Sequence, residues 1–208
     1  MNKSRFEAFS DGVFAFAITL LVLGFVLPAL HDPNSNRELA SALLRMWPNL
    51  LAYALSFGVI GIMWQNHHAL FRLVRAIDRT TVFLNLLLLG GTAFIPFATN
   101  ALGAHPTLSA ATFLYGVTLS FCSTMYNLLL GHLVRAKAFD PSVEAATIAR
   151  TVRAYRTGWV GYVAATVLAL VVPVVSFAAF LAIAAYYLIP HGVDADAASE
   201  PVGGRPDS

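Results

Sequence analysis

Apolar residues run along this chain in long blocks, and the polar residues gather at the breaks between them. A hydrocarbon core about 30 Å thick takes about 20 apolar residues per crossing helix. That ruler predicts spans at roughly 8–29, 42–66, 81–102, 108–132, 155–172 and 174–190. Pro28 is read as the end of the first span and His31 to Asn36 as the loop after it. Trp47 and Pro48 sit near the entry of the second, where amphipathic aromatics favour a membrane interface. The last two spans form one apolar stretch broken at Val172-Pro173, read as a tight turn between two short helices. The alternative, a single kinked helix, would leave five spans. The pattern thus predicts an all-α membrane protein with six transmembrane helices over residues 1–190.

Composition removes the soluble alternative. Hydrophobic residues make up 58% of the chain and charged residues only 12%, with a mean hydropathy of +0.69; a soluble domain carries about 25% charged residues. Lipid is the expected surroundings, and no nucleic-acid partner is expected. The net charge of +2 is uninformative, but its placement is not. Lys3 and Arg5 precede the first span, Arg72, Arg75 and Arg79 follow the second, and Arg135, Lys137, Arg150, Arg153 and Arg156 follow the fourth. The opposite loops hold Arg37 and Arg45. Counting basic residues in short loops places both termini in the cytoplasm. Glu7 and Asp11 interrupt the entry to the first span, which argues for a retained helix over a cleaved signal. Cys122, the single cysteine, reads as a packing residue. Residues 191–208, rich in Gly, Pro, Ala and Asp, read as a disordered tail.

The first span carries the unusual chemistry. Arg5, Glu7 and Asp11 stand at the mouth of a helix that then runs apolar, and an acidic group near a membrane needs a partner within the protein. At 100° per residue, Gly12, Phe16, Thr19, Leu20, Leu23 and Leu27 share one face, and Asp11 points about 140° away from Phe16. Such a stripe fits helix packing or lipid contact as well as a pore, and Thr19 fits a bond back to its own helix carbonyl. On the second span, Trp64, His67 and His68 lie within one turn. Adjacent histidines diverge by 100° and lack HxxxH or HExxH spacing, so a polar network with the first helix is the better reading than a metal site. No metal or cofactor is expected.

Arg5-x-x-x-Phe9-Ser10-Asp11, followed by Gly12-Val13-Phe14-Ala15 and Thr19-Leu20-Leu21-Val22-Leu23, resembles the first-helix motif of the transmembrane protein 175 family of potassium channels. Trp64 and His67-His68 are similar to that family's second-helix pattern, and the likeness covers the membrane portion without the tail. It implies a homotetramer in the cell inner (plasma) membrane, with the first helix of each subunit lining a central pore and no carbonyl selectivity filter. By resemblance, Phe16 forms the constriction, Thr19 a hydroxyl layer, and Leu20 and Leu23 further apolar layers. Arg5, Phe9, Ser10, Asp11, Trp64, His67 and His68 would hold the first helix against its neighbours. Phe16 departs from the isoleucine or leucine common at that position, which leaves conductance and potassium preference open.

The resemblance therefore implies a channel that conducts potassium with modest preference over sodium, with proton passage through the same pore left open. The runner-up is an ion-coupled secondary transporter, which would place ionisable groups near mid-membrane, whereas Asp11 lies near an end. An enzyme is not expected, because no nucleophile, base and oxyanion-donor set stands out.

Overall fold

The computed structural model describes residues 2–187. It is all-helical: α1 (Lys3–Leu20) runs into a 3₁₀ turn (Leu21–Gly24), followed by α2 (Asn36–Arg45), α3 (Trp47–Arg72), α4 (Arg79–Ala104), α5 (Ser109–Arg135), α6 (Ala145–Leu168) and α7 (Pro173–Tyr187). The end of the predicted last span and the predicted tail at 191–208 lie outside the described residues.

Among the described residues, four segments are long and apolar enough to cross a membrane: α1 with its 3₁₀ turn, α3, α4 and α5. α7 is apolar and has 15 described residues. α6 reaches 24 residues by starting ten positions before the predicted span. It does so because Thr147 and Thr151 bury one face of a segment whose other faces are basic. The predicted break before Pro173 is present, with the ring at the first position of α7, where its missing N–H costs nothing.

Two predicted boundaries are corrected. The first span does not reach Pro28. The α-helix stops at Leu20, tightens through Leu21–Gly24, and is extended from Phe25, so Leu27 lies beyond the helix. Gly24 is where this end meets α4: a Cβ there would lie 3.4 Å from Asn100 Cβ. The predicted second span is two helices. Leu43 and Leu44 made residues 42–45 look like membrane helix, but both side chains are exposed and only Ala42 of α2 is buried. Pro48, in the first turn of α3, starts a new helix instead of continuing the old one. The α2 N-terminus is fixed locally. Glu38 N–H donates to Ser35 Oγ at 3.2 Å, and the Glu38 carboxylate accepts from His31 N–H at 2.8 Å and Asp32 N–H at 3.0 Å.

α4 and α5 form the broadest helix contact; α1 and α3 pack on α4, while α6 and α7 pack on α5. Phe14, Ile60, Leu88, Ile95, Leu102, Tyr115, Leu129 and Phe180 are fully buried among them. In lipid, association depends on close packing and interhelical hydrogen bonds more than on expulsion of water. Both are present. Ser56, Thr99 and Tyr115 join α3, α4 and α5 through hydroxyl contacts of 2.7 and 3.0 Å. At the end of the bundle that carries the start of α1, Arg75 N–H donates to Ala138 O at 2.8 Å and Asp140 N–H to Leu73 O at 2.9 Å. Beside them Asp78 caps α4, accepting from the Thr81 hydroxyl and N–H, both at 2.7 Å, and faces His132 Nε2 of α5 at 2.8 Å. The Thr81 hydroxyl first, then its N–H, hold the Asp78 carboxyl down at about 2, with His132 a smaller cause.

Where α3 passes α4, a glycine of one helix meets the backbone of the other. A Cβ on Gly103 would come 2.8 Å from Asn49 Cα, a backbone atom that cannot turn aside. Gly103→Ala is expected to lower the thermal midpoint of the purified protein, overpacking costing about 1–3 kcal/mol against a helix-propensity gain of about 1. Gly131→Ala, where nothing lies within 4 Å, is the control and is expected to hold or raise the midpoint.

Candidate functional site: the first helix and its anchor

α1 has two unlike sides. Phe6, Ser10, Phe14 and Ala17, with Leu21 after them, are buried at helical spacing against α3 and α4. On the other side, Arg5, Phe9, Gly12, Phe16, Thr19 and Leu23 are exposed, and Leu20 is half-buried. Phe16 is 63% and Leu23 71% exposed, so no helix among the described residues covers them. The Thr19 hydroxyl donates to Phe16 O at 2.8 Å, the back-bond expected of a helical threonine. With its proton committed to the backbone, the oxygen turns its lone pairs outward.

The buried side is held by a three-helix chain of hydrogen bonds. Ser10 Oγ donates to Phe6 O at 3.0 Å and accepts from Asn85 Nδ2 of α4 at 3.0 Å. Asn85 Oδ1 in turn lies 2.8 Å from His67 Nε2 of α3. An amide oxygen only accepts, so the imidazole carries its proton on Nε2 here. The His67 ring is enclosed by aromatics, with centroids 4.6 Å from Phe71, 5.4 Å from Phe14 and 6.2 Å from Phe6. Ser10, His67 and Asn85 are all buried. An amide left unpaired in such surroundings costs several kcal/mol, so Asn85 fixes how α1 and α3 can rotate against α4.

A second contact lies nearer the surface. Trp64 Nε1 donates to Asp11 Oδ1 at 2.9 Å, and the indole stacks on His68 at 6.1 Å. The predicted network is therefore two: Ser10 with His67 inside, and Asp11 with Trp64 and His68 outside. Arg5 and Phe9 join neither, having no hydrogen bond or ring contact among the described residues and lying on the open side of α1. Lys3, which the sequence reading used only as a charge, ties the start of α1 to the end of α3 by donating to Val74 O at 2.7 Å.

Asn85 was the residue the sequence reading missed. Its signal was available: it is the one polar side chain between Thr81 and Gly90, and polar groups inside apolar spans face partners.

The stretch from α1 to α4 that contains this site, residues 5–96, matches the family described as "Endosomal/lysosomal potassium channel TMEM175". Among similar proteins, one from Streptomyces collinus named as a potassium channel is 39% identical over 193 residues, covering 90% of this chain and 92% of that protein. The human protein named "Endosomal/lysosomal proton channel TMEM175" is 34% identical over 154 residues, 69% of this chain and 31% of its own length. A crystal structure of a lysosomal potassium-selective channel TMEM175 homolog from Chamaesiphon minutus superposes with a TM-score of 0.78 at 33% identity, covering 90% of this chain and 96% of that one. Identity of this order along nearly the whole length of a relative, with the matching fold, means that this chain belongs to the TMEM175 family.

Proposed function

We propose that the chain is the subunit of a potassium-permeable channel in which four copies set α1 around a common axis. The observation that carries the proposal is the exposure of Phe16, Thr19 and Leu23 on a helix whose opposite side is locked by Ser10 and Asn85. One copy cannot enclose a path with a single helix, so the path forms between copies; the number four follows the family resemblance. The potassium and proton channels named among the relatives support ion permeation over coupled transport. In this arrangement α6 and α7 make the fifth and sixth crossings. The basic residues near Lys3, Arg75, Arg135 and Arg153 support an orientation with both termini in the cytoplasm, and the reading takes the plasma membrane as the channel's setting.

The chemistry follows from the side chains. Four Phe16 rings make an apolar neck that excludes water until it widens, and Leu20 and Leu23 continue the dry wall. Thr19, its hydrogen turned to the backbone, offers a ring of oxygens to a cation that has shed part of its water. Potassium gives up water more readily than sodium, so this path favours it modestly, below the discrimination of a carbonyl filter.

Purified protein in liposomes is expected to pass potassium without ATP and to give single-channel steps; coupled, saturating exchange would favour a transporter. Phe16→Asn is expected to raise flux and narrow the potassium preference, and unchanged flux would take Phe16 out of the path. Thr19→Val, which removes the oxygen from every subunit, is expected to reduce the potassium-to-sodium permeability ratio about fivefold or more, the factor for a differential loss of about 1 kcal/mol. Asp11→Ala, which frees Trp64, is expected to reduce the assembled fraction in size-exclusion chromatography while channels that form keep their ion preference. An inverted preference in intact tetramers would assign Asp11 to the path instead.

A further inference from the structure

We infer that Arg153 and Arg156 form a binding site for anionic phospholipid headgroups of the cytoplasmic leaflet. The inference rests on the axial position proposed for α1. Among the described residues α6 packs only against α5 and α7, so with α1 at the axis α6 stands on the periphery of the assembly, against lipid.

The helical wheel then selects the residues. Thr147, Thr151, Gly158, Ala165 and Thr166 are buried and define the inner face of α6. At 100° per residue, Arg153, Arg156, Val160 and Val167 fall on the opposite side, and all four are exposed. One outward stripe is therefore apolar along Val167 and Val160 and becomes cationic within a single turn at Arg156. Measured back from Leu168, the last residue of α6, at 1.5 Å per residue, Arg156 lies roughly 18 Å and Arg153 roughly 22 Å along the helix. Arginine stems lie along apolar surface while the charged heads extend toward the interface, so from the half of α6 nearer its start both guanidinium groups can meet lipid phosphates.

Their surroundings leave them available. Neither side chain has an ion pair or hydrogen bond among the described residues. The acidic residue just before α6, Glu144, is exposed and has no ion pair with either arginine among the described residues. Trp159 stands beside the stripe, 38% exposed, with its Nε1 donating to Thr124 Oγ1 of α5 at 2.9 Å; an indole anchored by its N–H marks a membrane interface. Two planar guanidinium forks one turn apart match a phosphodiester better than a diffuse positive surface does.

The test measures lipid retention and flux separately. Full-length protein in detergent is titrated with phosphatidylglycerol or phosphatidylcholine, bound lipid is counted by native mass spectrometry, and potassium flux is measured in phosphatidylcholine vesicles. Wild type is expected to retain phosphatidylglycerol preferentially. Arg153→Gln with Arg156→Gln is expected to weaken that retention on the order of thirtyfold, the loss of two basic groups at an anionic surface, with flux unchanged. Arg153→Lys with Arg156→Lys, which keeps the charge but loses the planar forks, is expected to retain phosphatidylglycerol less well than wild type and better than the glutamine pair. Equal retention by the glutamine pair and wild type would overturn the site. So would inorganic phosphate displacing the lipid at millimolar concentration, which would make it a free-anion site. Absent flux in the wild type, with lipid preference intact, would count against the channel reading and not against the site.

Discussion

An amide buried in the middle of an apolar helix has one acceptable outcome: neighbours must supply its hydrogen bonds, because lipid cannot. Asn85 meets that demand with Ser10 on one side and His67 on the other. Those partners sit on α1 and α3, so satisfying one side chain sets the rotation of three helices together. Greasy contacts alone would not do this. Phe6, Phe14 and Leu21 could slide or turn against α4 at little cost, whereas a displaced Ser10 leaves an amide hydrogen unpaired. The exposed stripe of α1 is the consequence. Once Ser10 faces inward, Phe16 and Leu23 face outward, whatever they later meet.

The ends of α1 are fixed by different means, and the difference matters for a helix proposed to line a path. At its start, Lys3 reaches the carbonyl of Val74 and Asp11 holds Trp64. At its finish the helix narrows into the 3₁₀ turn and then becomes extended chain, and its tightest neighbour is Asn100 beside Gly24. Short 3₁₀ stretches have poorer hydrogen-bond geometry than α-helix. The same helix is thus firmly held below Phe16 and held mainly by packing above Thr19.

Much of this was legible in the sequence, for identifiable reasons. α4 and α5 have long apolar runs bounded by charges or a Pro-containing loop, and their predicted and observed limits differ by a few residues. The break before Pro173 was legible because a ring without an N–H forces a new helix. The failures share a cause: hydropathy counts residues without knowing what covers them. Leu43 and Leu44 look like membrane helix yet are exposed on α2, and Val26 and Leu27 look like helix yet follow its end. Basic residues misled in the opposite direction, since Arg150 and Arg153 hid the first ten residues of α6. At the site, the ionisable residues drew the reading to Asp11 and the histidines, and the uncharged Asn85 that joins the inner pair was passed over.

The two halves of the subunit also differ in what their polar groups accomplish. Around α1, α3 and α4 the hydrogen bonds run between side chains of different helices, so each bond specifies an angle. In the outer half α5 and α6 are also joined by side-chain pairs, Ser120 with Thr166 and Trp159 with Thr124, but α7 is held to α6 through backbone carbonyls: Ser176 Oγ donates to Ala165 O at 2.7 Å and Tyr187 OH to Ala154 O at 2.6 Å. A backbone carbonyl is present at every residue, so such bonds hold the helices together without selecting one rotation as sharply. The looser rotational control therefore falls on α7, which packs away from the helix proposed to face the ion.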